Sequence, residues 1–364
     1  MYNVAIIGCG RISHKIAEGV AKNNDRMKLV VLCDPIEEKM FETEKTYNKK
    51  IEKENTILKY KNYKEILKEN KIDIAIISTE SGYHEEIGLY FLENGVNLII
   101  EKPLAMSIEG AQKLVDTAKK NNLKLAASHQ NRFNYPIQLL KKAIKENKLG
   151  RIFNGMARIL WTRDDNYYLQ APWRGTWALD GGTLMNQCIH NIDLINWMMD
   201  DEIDTVYAQT SNYIRNIEAE DYGVILIRYK SGKIATIEGS AIVYPKNLEE
   251  TLTITGEKGT VVIGGMAVNK INTWRVEGDN EQEYLSIDCG DPNSVYGYGH
   301  EALYKDFVDA LDENREPLVN GIAGLNAVKI ILAAYKSQKT GMAIKFEEFK
   351  EFSTLDMKNI KLKG

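Results

Sequence analysis

Cysteine is scarce in this chain. There are four in 364 residues, at Cys9, Cys33, Cys188 and Cys289, and no two form a C-x-x-C pair. That spacing indicates neither a disulfide framework nor a zinc site, so no metal is expected. Cys9 and Cys33 read instead as small apolar residues in buried strand and turn positions. Long hydrophobic runs are missing too. Apolar stretches are short strand-like pieces such as residues 74–77 and, with one polar residue, 96–100, far short of the ~18 residues that cross a bilayer. An excess of positive charge is also lacking: the net charge of −4 argues against a nucleic-acid partner. No repeat or low-complexity tract appears, and the Lys/Glu-rich stretch 45–71 reads as solvated surface. Val4-Ala5-Ile6-Ile7 follows the start with no charged lead or small-residue cleavage site, so it reads as a buried strand, and a cytoplasmic location is expected.

What is present is ordinary globular composition, 44% apolar and 27% charged. The length suggests about two domains at ~150 residues each. Residues 1–125 alternate apolar strands (4–7, 29–33, 74–78, 96–100, 124–127) with helical stretches (14–23, 36–48, 85–94, 108–121). Continuous apolar strands separated by helices predict a parallel sheet covered on both faces. After about residue 150 strand-like segments follow one another at 152–161, 205–214, 222–229, 233–242, 251–255 and 260–263. Short turns at Ser231-Gly232 and Glu257-Lys258-Gly259 make neighbours antiparallel. Helices are predicted at 135–147, 183–199, 300–314 and 324–340. The expected architecture is therefore an α/β doubly wound domain, 1–125, followed by an α+β domain, 126–364, with an open, largely antiparallel sheet.

Three motifs carry chemistry. Gly8-Cys9-Gly10-Arg11-Ile12-Ser13 lies between a strand and a helix, the context that gives G-x-G-x-x-G meaning. Gly8 permits a tight turn, Gly10 lets backbone approach a pyrophosphate, and the helix start beyond Arg11 and Ile12 offers N–H groups and partial positive charge. Asp34 ends the second strand, where a carboxylate accepts from ribose hydroxyls and repels a 2′-phosphate, which predicts NAD rather than NADP. Glu101-Lys102-Pro103 sits at the carboxyl end of a strand, the ligand edge of such sheets. Lys102 there is placed to donate to a substrate hydroxyl or the nicotinamide ribose. Finally, Gly181-Gly182 opens a predicted helix with Asn186, His190, Asp193 and Trp197 on one face. A histidine in such a stripe can take a hydroxyl proton near neutral pH, although a lone helical histidine is more often a satisfied core residue.

Together, and in this order, these motifs resemble the Gfo/Idh/MocA oxidoreductases (glucose-fructose oxidoreductase, inositol dehydrogenase, rhizopine catabolism) over nearly the whole chain. The resemblance implies a Rossmann domain, hydride transfer between a sugar or polyol carbon and nicotinamide, and a homodimer or homotetramer built through the open sheet. It maps the family's lysine to Lys102 and its histidine to His190. Where the family often has aspartate four residues before that histidine, this chain has Asn186, which cannot share the proton. The family's T-P-x-x-x-H loop appears as Thr79-Glu80-Ser81-Gly82-Tyr83-His84, with Thr79 and His84 expected on the nicotinamide side and Glu101 among the cofactor contacts.

Five of eleven arginines fall between Arg132 and Arg174, with Trp161, Trp173, Trp177, Tyr167 and Tyr168 nearby. Arginine suits bidentate phosphate recognition and aromatic rings suit stacking. The cluster fits a large anionic substrate better than a bare polyol. His129-Gln130-Asn131-Arg132 and the Trp161–Trp177 region resemble the branch of UDP-N-acetylglucosamine and UDP-N-acetylglucosaminuronate 3-dehydrogenases. That implies oxidation of a C3 hydroxyl, with Gln130, Arg132, Arg163, Trp173, Arg174, Asn186 and His190 on the substrate side. Two alternatives stay open: a dehydrogenase of a free sugar or inositol, and a cofactor-sensing or structural protein without chemistry.

Overall fold

Val- and Ile-rich runs favour extended backbone that is buried on both faces, and in the first 130 residues they pair side by side. In the computed structural model, which describes residues 1–290, 297, 299–358, 360 and 362, these strands are β1 (Tyr2–Ile7), β2 (Met27–Cys33), β3 (Leu58–Tyr60), β4 (Ile74–Ile77), β5 (Asn97–Ile100) and β6 (Leu125–Ala127). All neighbours run parallel, in the order β3-β2-β1-β4-β5-β6. The order reverses between β1 and β4, which places the ligand crevice of an open sheet at their carboxyl ends. Helices α1 (Ser13–Lys22), α2 (Glu37–Ile51), α3 (Ile66–Glu69), α4 (His84–Glu93) and α5 (Ile108–Lys120) supply the crossovers. Helix α5 starts where the sequence provides a cap, the Ser107 side chain accepting from Gly110 N at 2.9 Å.

The second set of elements is α6 (Tyr135–Lys145), β7 (Ile152–Leu160), α7 (Asp165–Leu169), α8 (Thr183–Asn186), α9 (Ile189–Met199), β8 (Ile203–Ser211), β9 (Tyr222–Tyr229), β10 (Ile234–Ser240), β11 (Glu249–Gly256), β12 (Gly259–Gly264), β13 (Lys270–Val276), α10 (Glu281–Leu285), α11 (Gly299–Asp312), α12 (Gly321–Thr340) and β14 (Ile344–Lys345). The eight-stranded order is β13-β12-β11-β7-β10-β9-β8-β14, antiparallel except for the parallel pair β7–β10. One sheet face is packed closely by helices. A Cβ on Gly155 would meet Ile195 at 2.6 Å, one on Gly223 would meet Leu184 at 2.9 Å, and one on Gly239 would meet Cys188 at 2.5 Å. The opposite face is open. One register row across it reads Thr253, Met156, Thr236, Leu226 and Tyr207, of which Met156, Leu226 and Tyr207 are exposed.

Two expectations differ from what is observed. The single cut at residue 125 does not match the compact units, which are Met1–Gln130 with His300–Leu325, and Asn131–Gly299 with Asn326–Gly364. Most of α11 therefore packs on the first sheet's helices. Arg26 contacts Asp309 and Asp312 at 2.5 Å each, and a Cβ on Gly19 of α1 would strike the Tyr304 ring at 2.6 Å. An amphipathic helix does not say in its own sequence which sheet will cover it. The helix predicted at 183–199 is broken as well, at Gln187 and Cys188, into α8 and α9.

Candidate active site

In the first unit the glycine turn follows β1 directly. Gly8 has φ +94°, and a Cβ there would lie 2.6 Å from the Ser78 carbonyl at the end of β4. Only glycine satisfies both demands. Gly10 differs: a Cβ on it would meet nothing within 4 Å, so open space adjoins the backbone where a pyrophosphate would approach. Ser13 replaces the third glycine and is buried, its hydroxyl donating to Gly10 O at 2.7 Å and facing Thr43 Oγ1 at 2.9 Å. Helix α1 begins without a side-chain cap or an acid in its first turn, which leaves its partial positive charge to an anion. Exposed Arg11 and half-buried Ile12 border this start.

Asp34 closes the turn. Its carboxylate accepts from Cys9 N at 2.8 Å and Ile36 N at 2.9 Å, and its remaining lone pairs suit ribose hydroxyls. Cys9 and Cys33, buried beside it, have thiols pushed up to about 12, chiefly by burial. Burial that disfavours the thiolate fits the expected role of small buried residues.

Around Lys102 the structure separates the expected cofactor contacts. Lys102 and Thr79 are half-buried, whereas Glu101 and His84 face inward. His84 Nδ1 lies 2.7 Å from Pro103 O and Nε2 lies 3.1 Å from Thr79 O. It ties the Thr79 loop to the Lys102-Pro103 turn, and burial lowers its pKa. Both ring nitrogens are engaged by the unit's own backbone, so any part His84 plays beside the nicotinamide comes through the Thr79 loop and the Lys102-Pro103 turn that it joins. Glu101 likewise turns into the interior, with Oε1 3.9 Å from His300 Nε2. Burial raises Glu101 to about 7 and lowers His300 to about 4. His300 and its neighbour Tyr304 carried no sequence signal, since they return from 200 residues away. Gln130 is buried at this unit's end.

In the second unit, the break after α8 invalidates the single-helix argument for the polar stripe but keeps its two key members together. Within residues 181–195 only Asn186 and His190 reach solvent. Asp193 instead forms a buried bidentate pair with Arg132, at 2.7 and 2.6 Å, with Trp197 4.8 Å from that guanidinium. Arg132 was expected on the substrate. In the structure it forms this internal ion pair, and the cost of a buried charge explains why it has a partner. Asn186 donates to Asp180, whose other oxygen accepts from Gly175 N at 2.7 Å. Asp180 was missed, although it directly precedes the Gly-Gly pair.

That pair has a packing cause. Gly181 has φ +77°, and a Cβ on Gly182 would lie 1.9 Å from Glu220 Oε2. Glu220 accepts from Leu184 N at 2.8 Å and Tyr335 OH at 3.0 Å, and burial pushes its carboxyl up to about 8. Glu250 on β11 is buried too and raised to about 8, with Asn191 and Arg163 pulling it back down.

Arg163 and Arg174 behave unlike their neighbours. Arg158 pairs with Glu238 and Glu249. Among the described residues, no carboxylate lies within 4 Å of Arg163 or Arg174. Both sit over Tyr167, with Cζ 5.3 and 4.3 Å from its ring centroid. Arg163 also covers Trp161 at 4.6 Å and Arg174 covers Trp173 at 4.7 Å. Trp177, by contrast, is core, edge-on to Tyr335 at 5.1 Å.

Comparison with known proteins matches residues 2–129 to the oxidoreductase family NAD-binding Rossmann fold and residues 141–346 to the same family's C-terminal alpha/beta domain, GFO_IDH_MocA_C. The chain belongs to the Gfo/Idh/MocA oxidoreductase family. It is an NAD-dependent oxidoreductase with the expected α/β architecture. The WlbA dehydrogenase of Bordetella pertussis, solved with NADH and UDP-GlcNAcA, is 32% identical, with a TM-score of 0.83 over 94% of this chain and 98% of that one. Its counterpart from Chromobacterium violaceum, solved with the same two molecules, is also 32% identical, with a TM-score of 0.84 over 94% and 95%. Myo-inositol 2-dehydrogenase of Thermotoga maritima is 24% identical over 95% of this chain and 98% of its own length. Among the described residues no helix is long and apolar enough to cross a membrane.

Proposed function

We propose that this oxidoreductase acts on a sugar hydroxyl, the C3 hydroxyl of a UDP-linked N-acetyl sugar or its uronate. One observation carries the reading: Arg163 and Arg174 share one aromatic ring and, among the described residues, have no carboxylate within 4 Å. Guanidiniums without a paired carboxylate at salt-bridge distance suit a diphosphate or a uronate, and a neutral polyol gives them no charge to pair with. The 32% identity to two proteins solved with UDP-GlcNAcA supports it.

In this reading NAD, when bound, supplies the hydride acceptor, and Gly8, Gly10, Asp34 and the start of α1 hold its pyrophosphate and ribose. Lys102 donates to the reacting hydroxyl and favours its alkoxide character. His190 accepts the proton. Asn186, fastened to Asp180, orients the sugar beside it. Replacing His190 with alanine should lower kcat by ~10²–10⁴, and near-normal turnover would remove it from that role.

The test is NADH formation from UDP-GlcNAcA, UDP-N-acetylglucosamine and myo-inositol, with a thermal-shift panel of the same compounds. UDP-sugar turnover with stabilisation by UDP is the expected result. Turnover of inositol with no effect of UDP would refute it. We further propose that the open sheet face, through Met156, Leu226 and Tyr207, covers a second copy of the chain. Sedimentation of a Leu226→Lys variant should then show smaller particles than the wild type.

A further inference from the structure

We propose that Tyr167 is the positioning residue for anion recognition, holding Arg163 and Arg174 ready for a doubly charged group and linking them to the helix that carries His190. The inference rests on the nucleotide-sugar reading and names the residue that sets its charge selectivity. Tyr167 is fixed locally, since Asp164 caps α7 by accepting from Tyr167 N at 2.9 Å. Its ring is braced edge-on by Tyr168 at 5.1 Å and 90°. Its hydroxyl accepts from Arg174 Nη1 and, at 3.4 Å, from Gln187 Nε2. Gln187 lies in the break between α8 and α9, next to Asn186 and three residues before His190.

Two cations on one ring repel each other, so the arrangement favours any ligand that brings negative charge between them. Buried Glu250 feels Arg163 but is held up to about 8 by burial, and three other acids of this region are engaged elsewhere. Asp165 faces Arg215 at 3.5 Å, Asp180 holds Gly175 N and Asn186, and Glu218 accepts from Trp177 N at 2.9 Å. Arg174 Nε is buried with no hydrogen-bond partner among the described residues, a donor open to a ligand.

The test titrates the full chain with UDP, with inorganic pyrophosphate and with uncharged N-acetylglucosamine, for wild type, Tyr167→Leu and Tyr167→Phe. The leucine variant should bind UDP roughly tenfold or more weakly, having lost the ring and the hydroxyl. The phenylalanine variant should lose a smaller factor. The KM for a UDP-sugar should rise more than kcat falls, and affinity for NAD should stay within about twofold. UDP affinity unchanged in both variants would overturn the role of Tyr167 and leave the substrate reading standing. Pyrophosphate binding that depends on Tyr167, without any UDP-sugar binding, would do the reverse. Equal losses of UDP and NAD affinity would also overturn the proposal, as would a loss confined to N-acetylglucosamine. Should the leucine variant not fold, the phenylalanine variant decides by the same criteria.

Discussion

Two glycine turns precede helices in this protein, and they solve opposite problems. At Gly10 an added Cβ would meet nothing, and α1 starts without a side-chain cap. At Gly182 the space is filled by the Glu220 carboxyl, which itself accepts from the helical N–H of Leu184. One turn is left open for a ligand's negative charge. The other has a carboxyl group built in from the segment just before β9, held by the N–H of Leu184 and the Tyr335 hydroxyl. The same sequence signal, small residues before a helix, therefore indicates a ligand cradle only when the rest of the fold leaves the place vacant.

Alanine substitutions should separate the two turns sharply. Gly182→Ala forces Glu220 to move and should cost about 1–3 kcal/mol or more of stability, read as a fall of several degrees in the thermal midpoint. A midpoint equal to wild type would mean that the carboxyl has another place to go. Gly10→Ala should leave the midpoint within a degree or two yet weaken NAD binding roughly tenfold by blocking the approach of the pyrophosphate. If it instead behaves like Gly182→Ala, the contrast between the turns collapses. Next in size, Asp34→Ala should raise KM for NAD more than for NADP. It should also lower the midpoint, because Cys9 N and Ile36 N lose their acceptor. An equal effect on both cofactors would reduce Asp34 to a turn clamp.

The smallest effect is electrostatic. Glu220 has its carboxyl raised from 4.5 to about 8 by burial. The folded state then binds the proton more tightly than the unfolded state, so this group's contribution to stability falls as pH rises between those values. Denaturation across that range should show a shallower pH dependence in Glu220→Gln, whose amide carbonyl still accepts from Leu184 N. An unchanged slope would assign the dependence to Glu250 and Glu101, which are also raised.

Much of the architecture was legible because its cause is local. Apolar runs between helices announce a buried parallel sheet, and strand, glycine turn and terminal acid sit within 35 residues of one another. The break at Gln187 and Cys188 was not legible, because nothing in that stretch interrupts helical spacing. Tertiary contacts decide it: Cys188 and Leu184 press directly on Gly239 and Gly223. The internal contacts of His84 and Arg132 were hidden for a related reason. Their residue types suit ligands, but Pro103 and Asp193, which occupy them, lie 19 and 61 residues away. Arg163 and Arg174 stood out only as members of a dense cluster, and the absence of a carboxylate within 4 Å of them among the described residues is visible in three dimensions alone.

The groove of α1 around Gly19 receives Tyr304 from α11, and the outer edge beside β6 receives Val319 and Asn320. During synthesis, at ~5–20 residues per second, the stretch that completes the nucleotide-binding unit emerges roughly 10–40 s after Gln130. The nascent chain must wait with an apolar groove uncovered. A gene truncated after residue 130 would yield a fragment permanently in that condition, whereas one joining residues 1–130 to 300–325 would encode the unit whole.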